Sequence, residues 1–344
     1  MFNIRELIQE KKILFFGGKG GVGKTTLSAA AALLAANNDQ KVLLVSTDPA
    51  HNLGHLLNQP IGSAVVAVAK NLDVLELDPE ETVKQHLSET SNVLRQLMPI
   101  QLASEVDKHI ELSRHAPGML EAAMLERIAQ VVIDSSRDYD LVIFDTAPSG
   151  HTAQLMALPE MMTAWTDGLL KRREKSEKLS KKINKLTNYG ENEKDMGENI
   201  FGSRTKTEES NLSEKTQQRD DKIRSILNRR REKISDLRSH LTDKKNTAFV
   251  IVLAAERMPV LETIELYQQL KDMKISVAGA IINKRLPESY NEIADVFLNE
   301  RKAQESIHLK TLSKSLPKTP TLSIPLSKHD VIGLDALAEF SEQL

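Results

Sequence analysis

The chain of 344 residues contains no cysteine, and aromatic residues make up only 4% of it. Without thiols it can form no disulfide, no zinc–thiolate site and no cysteine-based site for a soft metalloid such as arsenite. It also lacks an apolar run of about 18 residues, the length that a membrane-spanning helix needs. The first twelve residues are polar and charged, unlike a signal peptide, so we expect a soluble, cytoplasmic protein. The net charge of −2 gives no reason to expect nucleic-acid binding.

A glycine-rich loop is the most specific feature that is present. Residues 17–26 read GGKGGVGKTT and follow the apolar run 13–16. Gly18, Gly23, Lys24 and Thr25 match the phosphate-binding pattern G-x-x-x-x-G-K-[ST]. In such a loop the backbone N–H groups and the N-terminus of the next helix face phosphate oxygens, the lysine neutralises them and the hydroxyl can ligate Mg²⁺. The predicted nucleotide-binding residues here are Gly18, Lys19, Gly20, Gly21, Val22, Gly23, Lys24, Thr25 and Thr26.

Short apolar runs alternate with helical patterns along most of the chain. The predicted strands are Ile13–Gly17, Val42–Thr47, Val74–Leu77, Leu141–Thr146, Ala248–Leu253, Val277–Ile282 and Thr321–Ile324. Continuous apolar strands of this kind are typical of parallel sheets that are covered on both faces. We therefore predict one α/β domain over residues 1–344, a doubly wound, mostly parallel sheet of the P-loop NTPase type. Residues 80–138 are expected to form an inserted helical subdomain.

A second helical insertion is predicted over residues 155–246, and its composition differs from the rest. Residues 171–246 contain 22 Lys and Arg against 14 Asp and Glu. Narrow apolar stripes at helical spacing predict a long, charged helical hairpin with a mobile tip at about residues 189–218. The stripe residues are Leu179, Ile183 and Leu186, then Ile223, Leu227, Ile234, Leu237 and Leu241. A solvated hairpin without a function of its own fits this pattern equally well.

Two aspartates follow predicted strands at the edge of the sheet where the phosphate loop lies. Asp48 begins the loop 48–52 after one strand, and Asp145 begins the loop 145–152 after another. A magnesium–nucleotide site needs one carboxylate near the metal and another group that orients the attacking water. Asp-Pro and Pro-Ser-Gly also favour turns on their own. Because both loops lie beside a phosphate loop, the sequence favours a catalytic role for them.

These motifs together resemble one family of enzymes. The string 19–26 is similar to that of the deviant Walker A ATPases, and loops 48–52 and 145–152 look like switch I and switch II of a particular branch. That branch holds the arsenical pump-driving ATPases and the ATPases that target tail-anchored membrane proteins. Further matches lie at residues 77–80, 117–122, 255–263, 282–284, 324–326 and 333–334. The resemblance covers one copy of the ATPase unit, which implies a homodimer.

The resemblance also implies roles for individual residues. Lys19 would reach the partner's nucleotide, and Lys24 with Thr25 and Thr26 would hold phosphates and Mg²⁺. Asp48 would position the hydrolytic water, which makes Asp48, Lys19 and Lys24 the catalytic candidates. Asp145 would sense Mg²⁺, with Thr25 as the other metal-site residue. The switch loops would comprise Asp48, Pro49, Ala50, His51 and Asn52, and Asp145, Thr146, Ala147, Pro148, Ser149, Gly150 and His151.

The base of the nucleotide would be recognised by residues further along the chain. Asn283 would hydrogen-bond the adenine, Pro325 and Leu326 would pack on it, and Glu256 would touch the partner's nucleotide. The cofactors implied are Mg²⁺ and, as the substrate, ATP. Zinc is not expected, because residues 299–315 contain no Cys-x-x-Cys clamp.

The resemblance leaves the biological role open. The main hypothesis is a homodimeric ATPase switch that carries or targets hydrophobic clients resembling tail-anchored membrane proteins. Its client groove would use Met98, Pro99, Ile100 and Leu102, Met119, Leu120, Met124 and Leu125, and Leu155, Met156, Met161, Met162 and Trp165, although methionines at helical spacing are more often core. The alternative is an ATPase subunit that energises an anion or arsenite efflux pump without cysteine-based metalloid binding. A MinD/ParA-like positioning ATPase is disfavoured, because residues 333–344 are short and acidic for a membrane helix.

Overall fold

The computed structural model describes residues 2–48, 52–97, 103–114, 116–135, 137–147, 156–158, 225–226, 228–287 and 296–344. Their strands are β1 (Ile13–Gly17), β2 (Val42–Ser46), β3 (Val66–Ala69), β4 (Leu72–Glu76), β5 (Leu141–Asp145), β6 (Thr247–Ala254), β7 (Val277–Arg285) and β8 (Thr321–Pro325). The helices before β5 are α1 (Ile4–Glu10), α2 (Lys24–Asn37), α3 (Asn52–Leu57), α4 (Pro79–Leu97), α5 (Ala103–Arg114) and α6 (Met119–Ser135). Those after β5 are α7 (228–242), α8 (Arg257–Asp272), α9 (Val296–Ser315) and α10 (Gly333–Ser341).

The strands form one eight-stranded sheet in the order β3-β4-β2-β5-β1-β6-β7-β8. All neighbours pair in parallel except β3, which runs antiparallel to β4. The predicted α/β fold with a mostly parallel sheet is thereby confirmed. The edge strand β3 was not predicted, although it lies within the apolar run 64–69. Its four residues are mostly half-buried, whereas those of the central strands are buried throughout.

Alternate residues of each central strand enter the two layers of the core. On β1, Leu14 and Phe16 face the layer of α1, α2, α3 and α10, whereas Ile13 and Phe15 face the layer of α6, α8 and α9. In the second layer the Phe15 ring stacks on Phe144 at 4.7 Å between centroids. Because both faces are covered, these strands are apolar throughout rather than alternating.

Helix α2 follows the glycine-rich loop and lies against the centre of the sheet. Its alanines 29–32 are almost fully buried between the sheet and neighbouring helices, including α1 and α10. Small side chains let helix and strands approach closely, which fixes the start of α2 relative to β1. The C-terminal helix α10 packs against α2 through Leu337 and Phe340.

The predicted insertions are described only in part. Three helices, α4, α5 and α6, lie between β4 and β5, and their treatment as a subdomain over 80–138 stays a prediction. In α7, the predicted stripe residues Ile234, Leu237 and Leu241 are buried. Residues 171–224 of the predicted hairpin, including its tip at about 189–218, lie outside the described residues. Among the helices that are described, none is both long and apolar enough to cross a membrane.

Candidate nucleotide site

The glycine-rich loop runs between β1 and α2 in close contact with neighbouring strands. At Gly18 the backbone has φ +153°, and a Cβ atom would lie 2.0 Å from the carbonyl oxygen of Val252. At Gly23, with φ +92°, a Cβ atom would lie 2.4 Å from Nδ2 of Asn283. Glycine is therefore required at both positions by the lack of space as well as by the backbone conformation.

Lys24 lies inside the loop rather than on its surface. Its residue is 5% exposed, and Nζ donates a hydrogen bond to the Lys19 carbonyl oxygen at 3.2 Å. Burial lowers the pKa of Lys24, while the negative charges of Asp145 and Asp48 act in the opposite direction. A cation enclosed by backbone at the start of a helix is the arrangement that binds phosphate groups.

Asp145 is fully buried at the end of β5, opposite the first turn of α2. Its Oδ2 accepts a hydrogen bond of 2.7 Å from the Thr25 hydroxyl. Burial raises the pKa of Asp145 to about 7 against the lowering effects of this hydrogen bond and of Lys24. The neighbouring carboxylates of Asp48 and Glu76 also contribute to this raised pKa. The site thus concentrates negative charge beside one buried lysine.

The Thr25–Asp145 pair suits a hard divalent cation. Oδ1 of Asp145 is buried and has no hydrogen-bond partner among the described residues, so an acceptor oxygen is left for a further ligand. Hydroxyl and carboxylate oxygens are the donors that Mg²⁺ prefers, commonly with water in between. The residues at this position therefore fit the expected metal.

The ends of three adjacent strands are tied together by two threonines. The Thr146 hydroxyl donates to the carbonyl oxygen of Phe16 at 2.8 Å, next to the glycine-rich loop. The Thr47 hydroxyl donates to the carbonyl oxygen of Asp145 at 3.3 Å. These bonds hold the starts of the loops after β2 and β5 against the phosphate loop.

The segment after the β2 loop is hydrogen-bonded to a buried glutamate, Glu76, that the sequence analysis did not identify as a site residue. Glu76 is 1% exposed, and its Oε1 accepts hydrogen bonds from the backbone N–H groups of Leu53 at 2.8 Å and Gly54 at 3.4 Å. It thereby fixes the start of α3, directly after the predicted switch I loop. An acidic residue at the end of an otherwise apolar strand was the available signal.

A cleft of about 500 Å³ opens beside the loop. It is lined by Gly21, Gly23, Lys24, Thr25, Thr26, Asp48, Asn52, His55, Leu56, Asn283, Lys284, Leu326, Ser327, His329, Asp330, Val331, Ile332 and Phe340. Nine of the predicted site residues thus line one cleft at the carboxyl ends of the strands, where such sheets bind ligands. His55, Ser327 and residues 329–332 are among the lining residues that the sequence analysis did not include.

The end of β7 braces the glycine-rich loop from one side. Asn283 Nδ2 donates to the Val22 carbonyl oxygen at 2.9 Å, and Lys284 Nζ donates to that of Gly21 at 2.8 Å. Asn283 therefore combines a place in the cleft with a direct bond to the loop that its predicted role did not include. Lys284 was missed as a site residue, although its position after Asn283 could have suggested it.

Three of the predicted site residues that do not line the cleft are Lys19, Glu256 and Pro325. Lys19 is on the outer side of the loop, where its Nζ forms an ion pair of 2.8 Å with Oε1 of Glu262. Glu256 lies just before α8 and forms an ion pair with Arg301 on the surface. Pro325 ends β8 and does not itself line the cleft, whereas its neighbour Leu326 does. The predicted roles of all four stay predictions.

Several predicted positions cannot be placed. Pro49, Ala50 and His51 of the first switch loop lie outside the described residues, as do Pro148, Ser149, Gly150 and His151 of the second. Within the described ranges there is no group of three or more His, Asp or Glu side chains that could by itself hold a metal ion.

The glycine-rich loop, the Thr25–Asp145 pair and the parallel sheet agree with the results of comparison with known proteins. The sequence model of a family described as anion-transporting ATPase matches residues 11–344. This chain belongs to the anion-transporting ATPase family. The match confirms the predicted resemblance, and it confirms ATPase as the enzyme class.

Curated relatives of this ATPase match over nearly their whole length. A putative arsenical pump-driving ATPase 2 from Aquifex aeolicus is 30% identical, covering 97% of this chain and 99% of the relative. A protein named ATPase get3 from Aspergillus terreus is 29% identical, covering 99% and 93%. A protein named ATPase ASNA1 homolog 2 from Paramecium tetraurelia is 28% identical, covering 97% and 93%.

The predicted client groove of this ATPase is wrong at three positions, where the side chains are buried in the core and cannot line a surface groove. Met124, Leu125 and Met156 are buried in the core beneath the sheet, because α6 turns its apolar face towards β-strand side chains. Met119 is half-buried against α4, and Leu120 is 42% exposed. The remaining predicted groove residues, Met98, Pro99, Ile100, Leu102, Leu155, Met161, Met162 and Trp165, lie outside the described residues.

Proposed function

We propose that this ATPase is a Mg²⁺-dependent conformational switch that works as a homodimer and carries or targets hydrophobic membrane-protein clients. The observation that carries the proposal is the cluster of Lys24, Thr25 and Asp145 at the start of α2. There the buried ammonium group of Lys24 donates to the backbone of its own loop, and the neighbouring Thr25 hydroxyl donates to the buried carboxylate of Asp145. Such a cluster can sense whether a charged triphosphate is present.

The residues of the nucleotide site have separate tasks in this scheme. The backbone of 18–23 and the ammonium group of Lys24 bind the phosphates, while Thr25 and Asp145 hold Mg²⁺, which neutralises charge between phosphate oxygens. Asp48 orients the attacking water, because its carboxylate oxygens can accept hydrogen bonds from that water. Asn283 and Leu326 contact the adenine.

The homodimer rests on Lys19. An ammonium group on the outer side of the phosphate loop contributes nothing to its own nucleotide while it is paired with Glu262, yet it faces the surface beside the loop. In the proposed dimer it reaches the nucleotide of the partner. Hydrolysis then removes the group that both subunits hold, and the pair reopens.

A hydrophobic client fits the exposed apolar side chains of the helical region after β4. Leu112 on α5 is 76% exposed, and Leu120 at the start of α6 is 42% exposed. Relatives named ATPase get3 and ASNA1 homolog share almost the whole length of the chain, which supports a shared role. The alternative, an ATPase subunit of an anion or arsenite efflux pump, is supported by the names of the family and of the Aquifex relative.

The test is to hold the protein in its ATP state and offer both kinds of partner. Asp48→Asn protein with Mg²⁺ and ATP is mixed with a peptide of about 20 apolar residues, the length of one membrane span, and complexes are separated by size. We expect binding that depends on ATP. Arsenite is added to wild-type protein in parallel, and no stimulation of hydrolysis is expected because the chain has no thiol. Failure of the peptide to bind in the presence of Mg²⁺ and ATP would contradict the client-carrying role and leave the pump subunit as the better supported alternative.

A further inference from the structure

Helix α8 presents an exposed stripe beside the glycine-rich loop. Met258 is 53% exposed and Leu261 is 45% exposed, and Glu262 and Glu265 continue the stripe at spacings of one and three residues. The opposite side of the helix is buried in the core through Val260, Thr263, Leu266 and Leu270. One face of α8 is thus fixed to the sheet, and the other holds two large apolar side chains and two acids at the surface.

Glu262 connects this stripe to the loop. Its Oε1 lies 2.8 Å from Nζ of Lys19, and the two side chains are 31% and 34% exposed. The two residues are 243 positions apart in the sequence, so the pair forms only when α8 and the loop are both in place. An ion pair with this much solvent contact contributes little to stability and can exchange its partner readily.

We propose that Met258, Leu261 and Glu262 form a contact surface for a second copy of this chain, and that Glu262 holds Lys19 back until the two copies close. The inference rests on the proposed dimer and adds to it the residue that controls when Lys19 is released.

Two physical effects drive the exchange. Covering Met258 and Leu261 buries apolar surface, which favours closure of the two copies. A triphosphate offers more negative charge and more acceptor oxygens than one carboxylate, so it becomes the better partner for Lys19. Without a nucleotide in the second copy there is no such acceptor, and Glu262 keeps the lysine.

The exchange makes Glu262 an opponent of dimer closure. Each subunit must break one ion pair to release its lysine, and an exposed pair is equivalent to a factor of about two to five in an equilibrium constant. Since a symmetric dimer breaks two pairs, neutralising Glu262 should tighten the nucleotide-dependent dimer between about 4-fold and about 25-fold.

Sedimentation equilibrium of the full chain with Mg²⁺ and a non-hydrolysable ATP analogue measures this effect. Glu262→Gln keeps the size of the side chain and removes its charge. The matched control is Glu265→Gln, which removes the same charge one turn further along the stripe. Glu265 is exposed and, within the part of the chain that the structure describes, accepts a hydrogen bond from Gln269. We expect a tighter dimer for Glu262→Gln and an unchanged one for Glu265→Gln.

The route through Lys19 is tested by combining substitutions. In a Lys19→Ala background, Glu262→Gln should have no further effect, because there is no lysine to release. Unchanged or weaker association of Glu262→Gln overturns the proposal, and so does tighter association that persists in the Lys19→Ala background. A wild-type chain that stays monomeric with the analogue contradicts the dimer of the proposed function itself, together with the contact surface.

The apolar part of the surface has its own readout. Leu261→Ser should weaken the dimer about 10-fold, as expected for removing an apolar side chain from a buried contact. Ile307→Ser on α9 is the control, since Ile307 is 53% exposed and lies on another helix. Equal effects of the two substitutions would show that α8 is not the contact surface.

Discussion

The two lysines of the glycine-rich loop lie in opposite environments five residues apart. Lys24 is 5% exposed and enclosed by its own loop, beside the fully buried Asp145. Lys19 is about one-third exposed and pairs with a carboxylate on a distant helix. The inner lysine is fixed by the local turn and serves its own subunit, whereas the outer one depends on a long-range contact that can be exchanged. The same loop thus contains one lysine placed to bind the nucleotide of its own subunit and another whose contact with α8 can be exchanged.

The largest expected effect comes from removing the inner lysine. Lys24→Ala should lower ATP affinity at least about 100-fold, because charge-assisted hydrogen bonds to the phosphates are lost. Lys19→Ala, measured with dilute monomeric protein, should change affinity less than about threefold, since Lys19 points to α8. Titration calorimetry gives both values. Similar losses for the two variants would remove the distinction between the inner and outer lysine.

Two glycines of the loop also differ in their surroundings, and this difference should appear in the free energy of unfolding. Gly18→Ala should destabilise the protein by about 3 kcal/mol, because the new Cβ atom would meet the backbone of β6. Gly21 also has a positive φ, of +78°, but has no atom within 4 Å of a new Cβ atom, so Gly21→Ala should cost about 1 kcal/mol. Urea unfolding without nucleotide measures both. Equal costs would mean that the inner half of the loop is not packed as described.

The inner half of the loop could be predicted from the sequence because it depends on local rules. The spacing of Gly18, Gly23 and Lys24 specifies the turn, and the apolar runs specify seven of the eight strands. Partners that are distant in sequence could not be predicted in this way. Glu262 and Lys284 reach the loop only through the order of strands in the sheet, which periodicity does not encode.

Predictions that relied on patterned helices were less successful. Methionines at helical spacing look alike whether they face a core or a groove, and Met124 and Met156 are in the core. The edge strand β3 was missed although residues 64–69 are apolar, since a short run of alanine and valine does not by itself distinguish a strand from a buried helical segment. Whether a helix or strand residue faces the core or the surface depends on where its element lies in the fold, and composition alone does not specify this.

The buried carboxylate beside Lys24 gives the next largest effect. Asp145→Asn should raise the Mg²⁺ concentration for half-maximal hydrolysis about 10-fold to 100-fold, because a charged metal partner is lost. The same change should not destabilise the protein without ligands, since an amide is easier to bury than a charge. A magnesium titration at saturating ATP and urea unfolding measure the two effects. An unchanged magnesium requirement would exclude Asp145 from the metal site.

The smallest effect concerns the ion pair of His86 and Glu126 in the helical region. This pair is less exposed than Lys19–Glu262 and serves as a comparison for it. His86 Nδ1 lies 2.8 Å from Glu126, whose side chain is 23% exposed. Burial by itself raises the pKa of Glu126, but the hydrogen bond from His86 and the charges of Arg230 and Lys233 outweigh it, and the pKa is lowered. A lowered pKa in the folded state stabilises the protein above the unfolded pKa, near 4.5, and this stabilisation is lost as the pH falls through the folded value.

Glu126→Gln should therefore cost about 1 kcal/mol at pH 7, and the difference from wild type should shrink below about pH 4.5. The control is Glu89→Gln on the neighbouring helix α4. Within the described part of the chain, Glu89 accepts a hydrogen bond of 3.4 Å from Gln85. Urea unfolding over a range of pH values gives the comparison. A difference that grows as the pH falls would contradict the lowered pKa.

Subunit mixing tests most directly whether two copies share one catalytic site. Lys19→Ala protein can bind and orient its own nucleotide but lacks the lysine for its partner, and Asp48→Asn protein supplies that lysine but cannot orient water. Each variant alone should be inactive. Random pairing should then restore about a quarter of the wild-type hydrolysis rate, because half of the dimers contain one complete site of two. Two inactive variants that stay inactive when mixed, or a Lys19→Ala variant that is fully active alone, would contradict the shared site.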